Sequence, residues 1–90
     1  MTIAERFGHN LRRCRHRVRL SQEQVAARAG LHRTAIGLLE AGERTPRIDT
    51  LVKLSAAVEA GVGDLLEGIE WVPRPHVDGD FYIAGAPRQS

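Results

Sequence analysis

Residues 27–42 read ARAGLHRTAIGLLEAG, and the interpretation of this stretch decides the fold. Helix-favouring residues stand on both sides of Gly30, yet a glycine inside a helix costs about 1 kcal/mol relative to alanine. A helix that closes at Gly30 and restarts two residues later accounts for the pattern, because glycine enters the left-handed conformation at a helix end without steric cost. Ser21-x-x-Gln24 is a capping box that starts the first of these helices, and Val25, Ala26 and Ala29 give it an apolar face of small residues. The second runs from about His32 to Ala41, with Ile36 and Leu39 inward, and Gly42 stops it.

Outward from this stretch the pattern stays helical. Thr2-x-x-Glu5 is another capping box, after which Ile3, Phe7, Leu11, Cys14 and Val18 recur on one helical face. Cys14 reads there as a small buried hydrophobe. Arg6, Arg12, Arg13, Arg15, His16, Arg17 and Arg19 occupy the other faces as a solvated basic surface, with one or two side chains in reach of phosphates. Pro46 forbids helix just before it. A fourth helix is expected from about Ile48 to Glu59, burying Leu51, Leu54 and Val58, and a short fifth from Asp64 to Glu67 with Leu65 and Leu66. The tail differs, with three of the four aromatics and three of the four prolines. Ile69 to Val72 and Phe81 to Ile83 read as two strands, with Asp78-Gly79 as the turn.

Two short helices joined by a tight glycine turn, the second led by polar and basic side chains, make a helix-turn-helix unit. The break tilts the second helix outward, so its N-terminal end can enter a DNA major groove, where every base pair shows a distinct pattern. The segment LSQEQVAARAGLHRTAIGLLEAGERTPRIDTLVKLSAAV resembles the phage-repressor (Cro/cI) or XRE-type helix-turn-helix regulators. The shared features are the Ser-Gln start, Ala26 and Gly30 at fixed offsets, Glu40-x-Gly42, the x-Pro loop and a GDLL helix. They span residues 4–67, about seven-tenths of the chain. The resemblance implies an all-α, five-helix lambda-repressor-like domain over residues 1–68. Residues 69–90 then form a short C-terminal β-hairpin or tail.

The resemblance also assigns positions. Arg33, Thr34, Gly37 and Leu38 fall where relatives face the groove. Arg33 is the expected base reader, since arginine pairs bidentately with guanine O6 and N7. Thr34 reads a base or a phosphate. Gly37 is usually polar in relatives and here allows close approach at most. Leu38 either touches a thymine methyl or belongs to the core. Gln22, at the start of the second helix, contacts a phosphate in the family. Arg44, Thr45 and Arg47 belong to the loop along the DNA backbone. His32 stands where relatives carry a Ser or Thr cap, so it either caps poorly or contacts a phosphate. Glu40 pairs with an arginine inside the fold rather than with DNA.

Composition agrees with a polyanion partner. Residues 1–53 hold eleven Arg and Lys against five Asp and Glu, whereas residues 54–90 hold two against six. Arginine outnumbers lysine twelve to one, which also fits a GC-rich genome. One cysteine excludes an internal disulfide, and no apolar run approaches the roughly 18 residues of a membrane helix. A soluble cytoplasmic protein is expected. Cys14 with His16, the pair Asp78 and Asp80, and the scattered histidines make neither a catalytic nor a metal-ligating set, so no enzyme, metal or cofactor is expected. The expected partner is double-stranded DNA, bound by a homodimer that acts as a transcriptional regulator, chiefly by repression. An isolated hairpin is marginal in water, so Trp71, Phe81 and Ile83 are expected to pack either on the helical domain itself or on the matching hairpin of a second copy, and the second, favoured option makes them the candidate dimer contacts. The alternative is an antitoxin whose acidic, aromatic tail grips a protein toxin.

Overall fold

In the computed structural model, which describes residues 1–75 and 79–85, both capping boxes form. The Thr2 hydroxyl accepts the Glu5 N–H at 3.1 Å, and the Glu5 carboxylate accepts the Thr2 N–H at 3.0 Å. From that cap α1 runs over Ile3–Arg17. The same exchange between Ser21 and Gln24 starts α2, Gln22–Ala29. Gly30 ends it at φ 67°, and α3 follows over Arg33–Glu40. The anticipated break is therefore real. Satisfying the orphan groups at helix ends with these side chains is what allows such short helices to stand.

α1 ends at Arg17, and two residues on Arg19 takes φ 57° without being a glycine. The next two boundaries differ from expectation. α4 spans Ile48–Ala57 rather than reaching Glu59, because Glu59 itself turns left-handed at φ 55°. α5 occupies Val62–Leu65, two residues earlier than expected, since the Asp64 carboxylate accepts the Gly61 N–H at 3.0 Å and draws the start forward. Leu65 is then buried, while Leu66 is exposed.

One apolar cluster joins all five helices, with Phe7, Leu11, Val25, Ile36, Leu54 and Leu65 among its most buried members. Cys14 lies in it, as its place on the α1 face indicated. α1 crosses α3 at Gly8. A Cβ there would stand 2.4 Å from the Leu39 carbonyl oxygen and 2.6 Å from that of Glu40, so only glycine lets the backbones approach this closely.

The hairpin pairs β1 (Ile69–Pro73) with β2 (Gly79–Ile83) in antiparallel register. Of the expected turn, Asp78 lies outside the described residues, and Gly79 instead opens β2, paired with Pro73 and two residues ahead of the expected start at Phe81. The register sets Ile69, Trp71 and Pro73 opposite Ile83, Phe81 and Gly79, and alternation gathers these six on one face. Only the root of that face is covered. Ile83 is 8% exposed within its own chain, so of the three candidate dimer contacts only Trp71 (52%) and Phe81 (56%) remain open. Their rings pack edge to face with centroids 5.0 Å apart.

Replacing Gly8 with alanine should destabilise the fold by about 1–3 kcal/mol, despite the gain of about 1 kcal/mol in helix propensity. Urea unfolding reads this as a lower midpoint at unchanged slope. An unchanged or raised midpoint would contradict the close crossing.

Candidate nucleic-acid interface

Helical spacing divides α3 into two faces. Ile36, Leu39 and Glu40 are buried, which turns Arg33 and Thr34 outward at its N-terminal end, both exposed. Gly37 lies on the outward side too, where an added Cβ would meet nothing within 4 Å. Leu38 is half-buried, between the two faces. The Arg33 side chain is 66% exposed, and its Nε lies 3.7 Å from a Glu23 carboxylate that is itself 76% exposed. Such a solvated pair contributes less than about 1 kcal/mol, so Arg33 is free to exchange it for another acceptor.

The flanks are built similarly. His32 has the backbone of an N-cap, but its side chain makes no capping hydrogen bond. The first N–H groups of α3 are therefore not satisfied by the cap side chain, and they point along the positive end of the helix dipole. Arg44, Thr45 and Arg47 are all exposed in the segment joining α3 to α4. Arg47, 87% exposed, faces Asp49 at 3.5 Å, again a weak surface pair.

Beneath this exposed edge sits a buried ionic joint. The Glu40 side chain is fully buried. Arg15 donates to it twice, Nε to Oε2 at 2.6 Å and Nη2 to Oε1 at 2.9 Å. Gln22 Nε2 donates to Oε1 at 3.1 Å, and Arg12 Nε stands 3.5 Å from the same oxygen. Arg15 also donates from Nη1 to the Leu20 carbonyl at 3.0 Å. The Glu40 carboxylate thus ties α1, the start of α2 and the end of α3, and Arg15 adds the turn before α2.

Burial alone would raise the Glu40 pKa. The hydrogen bonds from Arg15 and Gln22, then the Arg15 charge, outweigh burial and hold it below its ordinary value. The hydrogen bonding of Arg15 to the Glu40 carboxylate likewise raises the Arg15 pKa, against a smaller opposing effect of burial.

Glu40 meets the expectation that it pairs inside the fold, but two of its partners were assigned elsewhere. Arg15, grouped with the solvated arginines, has a side chain only 12% exposed. Gln22, expected on a phosphate, spends one amide hydrogen on Glu40. Its second amide hydrogen and the backbone N–H of the first residue of α2 remain for an outside acceptor. Gly8 and the buried Asn10 were missed, because what they contact lies on other elements. Among the described residues no three His, Cys, Asp or Glu side chains are grouped to hold a metal ion, and no helix is long and apolar enough to cross a membrane.

A family model described as a helix-turn-helix domain matches residues 6–67 and stops before β1. Control protein C.SmaI of Serratia marcescens is 44% identical over 66 residues, 73% of this chain and 79% of the relative. Control protein C.BamHI of Bacillus amyloliquefaciens is 37% identical over 62 residues, 68% of this chain and 76% of that protein. The crystal structure of the restriction-modification controller protein C.AhdI from Aeromonas hydrophila superposes with a TM-score of 0.67 at 34% identity. That superposition covers 69% of this chain and 94% of the other.

The depressed Glu40 pKa fixes the sign of an acid response. A carboxyl whose folded pKa lies below its unfolded one stabilises the fold above the unfolded value, and the contribution is lost as pH falls through the folded value. Glu40→Ala should cost about 3–5 kcal/mol near neutral pH, since it leaves Arg15 largely buried without its partner. The variant should also lose less further stability than the wild type as pH falls below the ordinary carboxylate range and through the folded-state value of Glu40. Denaturant unfolding across that range checks both. Parallel losses in the two proteins would contradict the assignment.

Proposed function

The chain belongs to the helix-turn-helix family, and on that footing we propose that it binds a promoter as a homodimer, one half-site to each copy of α3. It is a DNA-binding transcriptional regulator of the XRE type. The observation that carries the finer reading is the division of α3, with its inner face locked by Glu40 and its outer N-terminal edge open and led by Arg33.

In this reading Arg33 donates two hydrogen bonds to guanine O6 and N7 from the major groove. Thr34 takes a neighbouring base or phosphate. Gly37 leaves room for the groove edge, and the exposed part of Leu38 meets a thymine methyl. Gln22, His32, Arg44, Thr45 and Arg47 flank α3 and contact phosphates, which position the helix without reading sequence. Occupancy of a promoter by the bound protein then represses transcription.

Two copies are supported by the half-covered hairpin. Trp71 and Phe81 present an exposed aromatic pair, and the outer edges of two strands are open to pairing about a two-fold axis. A symmetric dimer sets two recognition helices about 34 Å apart, matching half-sites one helical turn apart. The toxin-gripping alternative gains no support from these relatives, which include control proteins and a restriction-modification controller.

Arg33→Ala should weaken binding to the preferred site by about 1–3 kcal/mol and relax preference at one base pair. Titrations against single-base variants of the site check this. An equal loss on every sequence would make Arg33 a phosphate contact instead. A double Trp71→Ser, Phe81→Ser variant should sediment as a folded monomer and lose affinity for the two-half-site duplex. A variant that stays dimeric would remove the hairpin from the dimer contact.

A further inference from the structure

We propose that Arg6 sets the spacing between half-sites by locking the hairpin arm at one angle to the helical body. The inference rests on the homodimer reading and adds to it a residue that fixes where the second copy sits.

The arm joins the body at Gly68 and Ala84, whose N–H donates to the Gly68 carbonyl at 2.8 Å. Gly68 takes φ 82°, a region glycine enters freely, and beside Arg6 the joint is held by the Ile69 N–H donating to the Leu66 carbonyl at 3.0 Å and by Ile69 and Ile83 packed at the root. Arg6 spans that joint. Its Nε donates to the Glu67 carbonyl at 3.2 Å, just before the hinge, and its Nη1 to the Ala84 carbonyl at 2.7 Å, just after the arm. The guanidinium lies directly over Gly68, where a Cβ would come within 2.4 Å of Nη2. Its donors form a rigid planar fork, so a swing about Gly68 breaks at least one of the two bonds.

The body side of the hinge is fixed independently. Asn10, fully buried, donates from Nδ2 to the Leu65 carbonyl at 3.0 Å and to the Glu67 carbonyl at 2.9 Å. α1, which carries both residues, is seated on α3 through Gly8. A continuous set of close contacts therefore runs from α3 through α1 to Glu67. Among the described residues, Arg6 is the one whose side-chain hydrogen bonds carry it across the hinge, to the residue that follows β2.

Leverage makes this joint matter. A five-residue strand is about 16 Å long, so a rotation of about 20° at its root moves the tip by roughly 6 Å. That exceeds the rise of about 3.4 Å per base pair. The exposed Trp71 and Phe81 lie two residues beyond the covered root, where the same rotation moves them by roughly 2 Å, a large part of that rise.

The test uses the full chain, wild type and Arg6→Ala, on the duplex selected by the wild-type protein and on versions with one or two base pairs added or removed between half-sites. Sedimentation gives the oligomeric state of each protein. The wild type should lose about tenfold or more in affinity at a two-base-pair change, whereas Arg6→Ala stays within about threefold across the series and binds an isolated half-site unchanged. A steep profile retained by Arg6→Ala would overturn the proposal. So would a uniform loss at every spacing, which would make Arg6 a stabilising residue only. Arg6→Met keeps the stem without the fork and gives the same reading should the alanine variant fail to fold. A wild-type protein that sediments and binds as a monomer overturns the homodimer reading and this inference together, a result separate from an unchanged Arg6→Ala profile in a dimeric protein.

Discussion

The Glu40 carboxylate is the constraint on which the rest of the structure depends. A charge with no solvent exposure is tolerable only with donors arranged around it, and here they come from α1 and α2. Arg15 answers it bidentately, which fixes direction as well as distance. Gln22 adds the start of α2. The angle between α2 and α3 is therefore held at both ends of the unit, by Gly30 in the turn and by Glu40 at the far end of α3. The close crossing at Gly8 belongs to the same joint, since a side chain there would strike the Leu39 and Glu40 carbonyls and push α1 off α3. With the inner face of α3 anchored in this way, its outer edge can stay polar, exposed and loosely paired.

What could be read from residues alone follows how local each signal is. The capping boxes at Thr2 and Ser21 and the glycine stop at Gly30 act within a few residues, and all three stand as expected. The stops at Arg19 and Glu59 were not legible, because a left-handed non-glycine residue leaves no compositional mark. At the candidate site, the outward placement of Arg33 and Thr34 follows from helical period, and the inward pairing of Glu40 was also legible. Its partner was not. Arg15 is 25 residues distant in sequence and looks like any other arginine on a basic helix. Gly8, Asn10 and Arg6 share that property, since each is explained by a carbonyl on another element.

The hairpin shows a different kind of incompleteness. Among its described residues, Ile83 and Ile69 at the root meet the body, while Trp71 and Phe81 on the same face are exposed. An isolated two-stranded sheet is marginal in water. Here the root, the Arg6 fork and the Trp71–Phe81 contact hold it, while its outer part stays exposed. The matched family model covers the helical body and ends before β1. A body that presents one helix and an arm that presents one aromatic pair together suit a reader of repeated half-sites.

The most direct measurement is selection of bound sequences from a random duplex pool with the wild-type protein. Strong enrichment of one sequence is expected, made of two related half-sites about one helical turn apart with guanine at a fixed place in each. Generic, salt-sensitive binding with no enriched sequence would contradict it, since an edge led by Arg33 would then supply charge without readout.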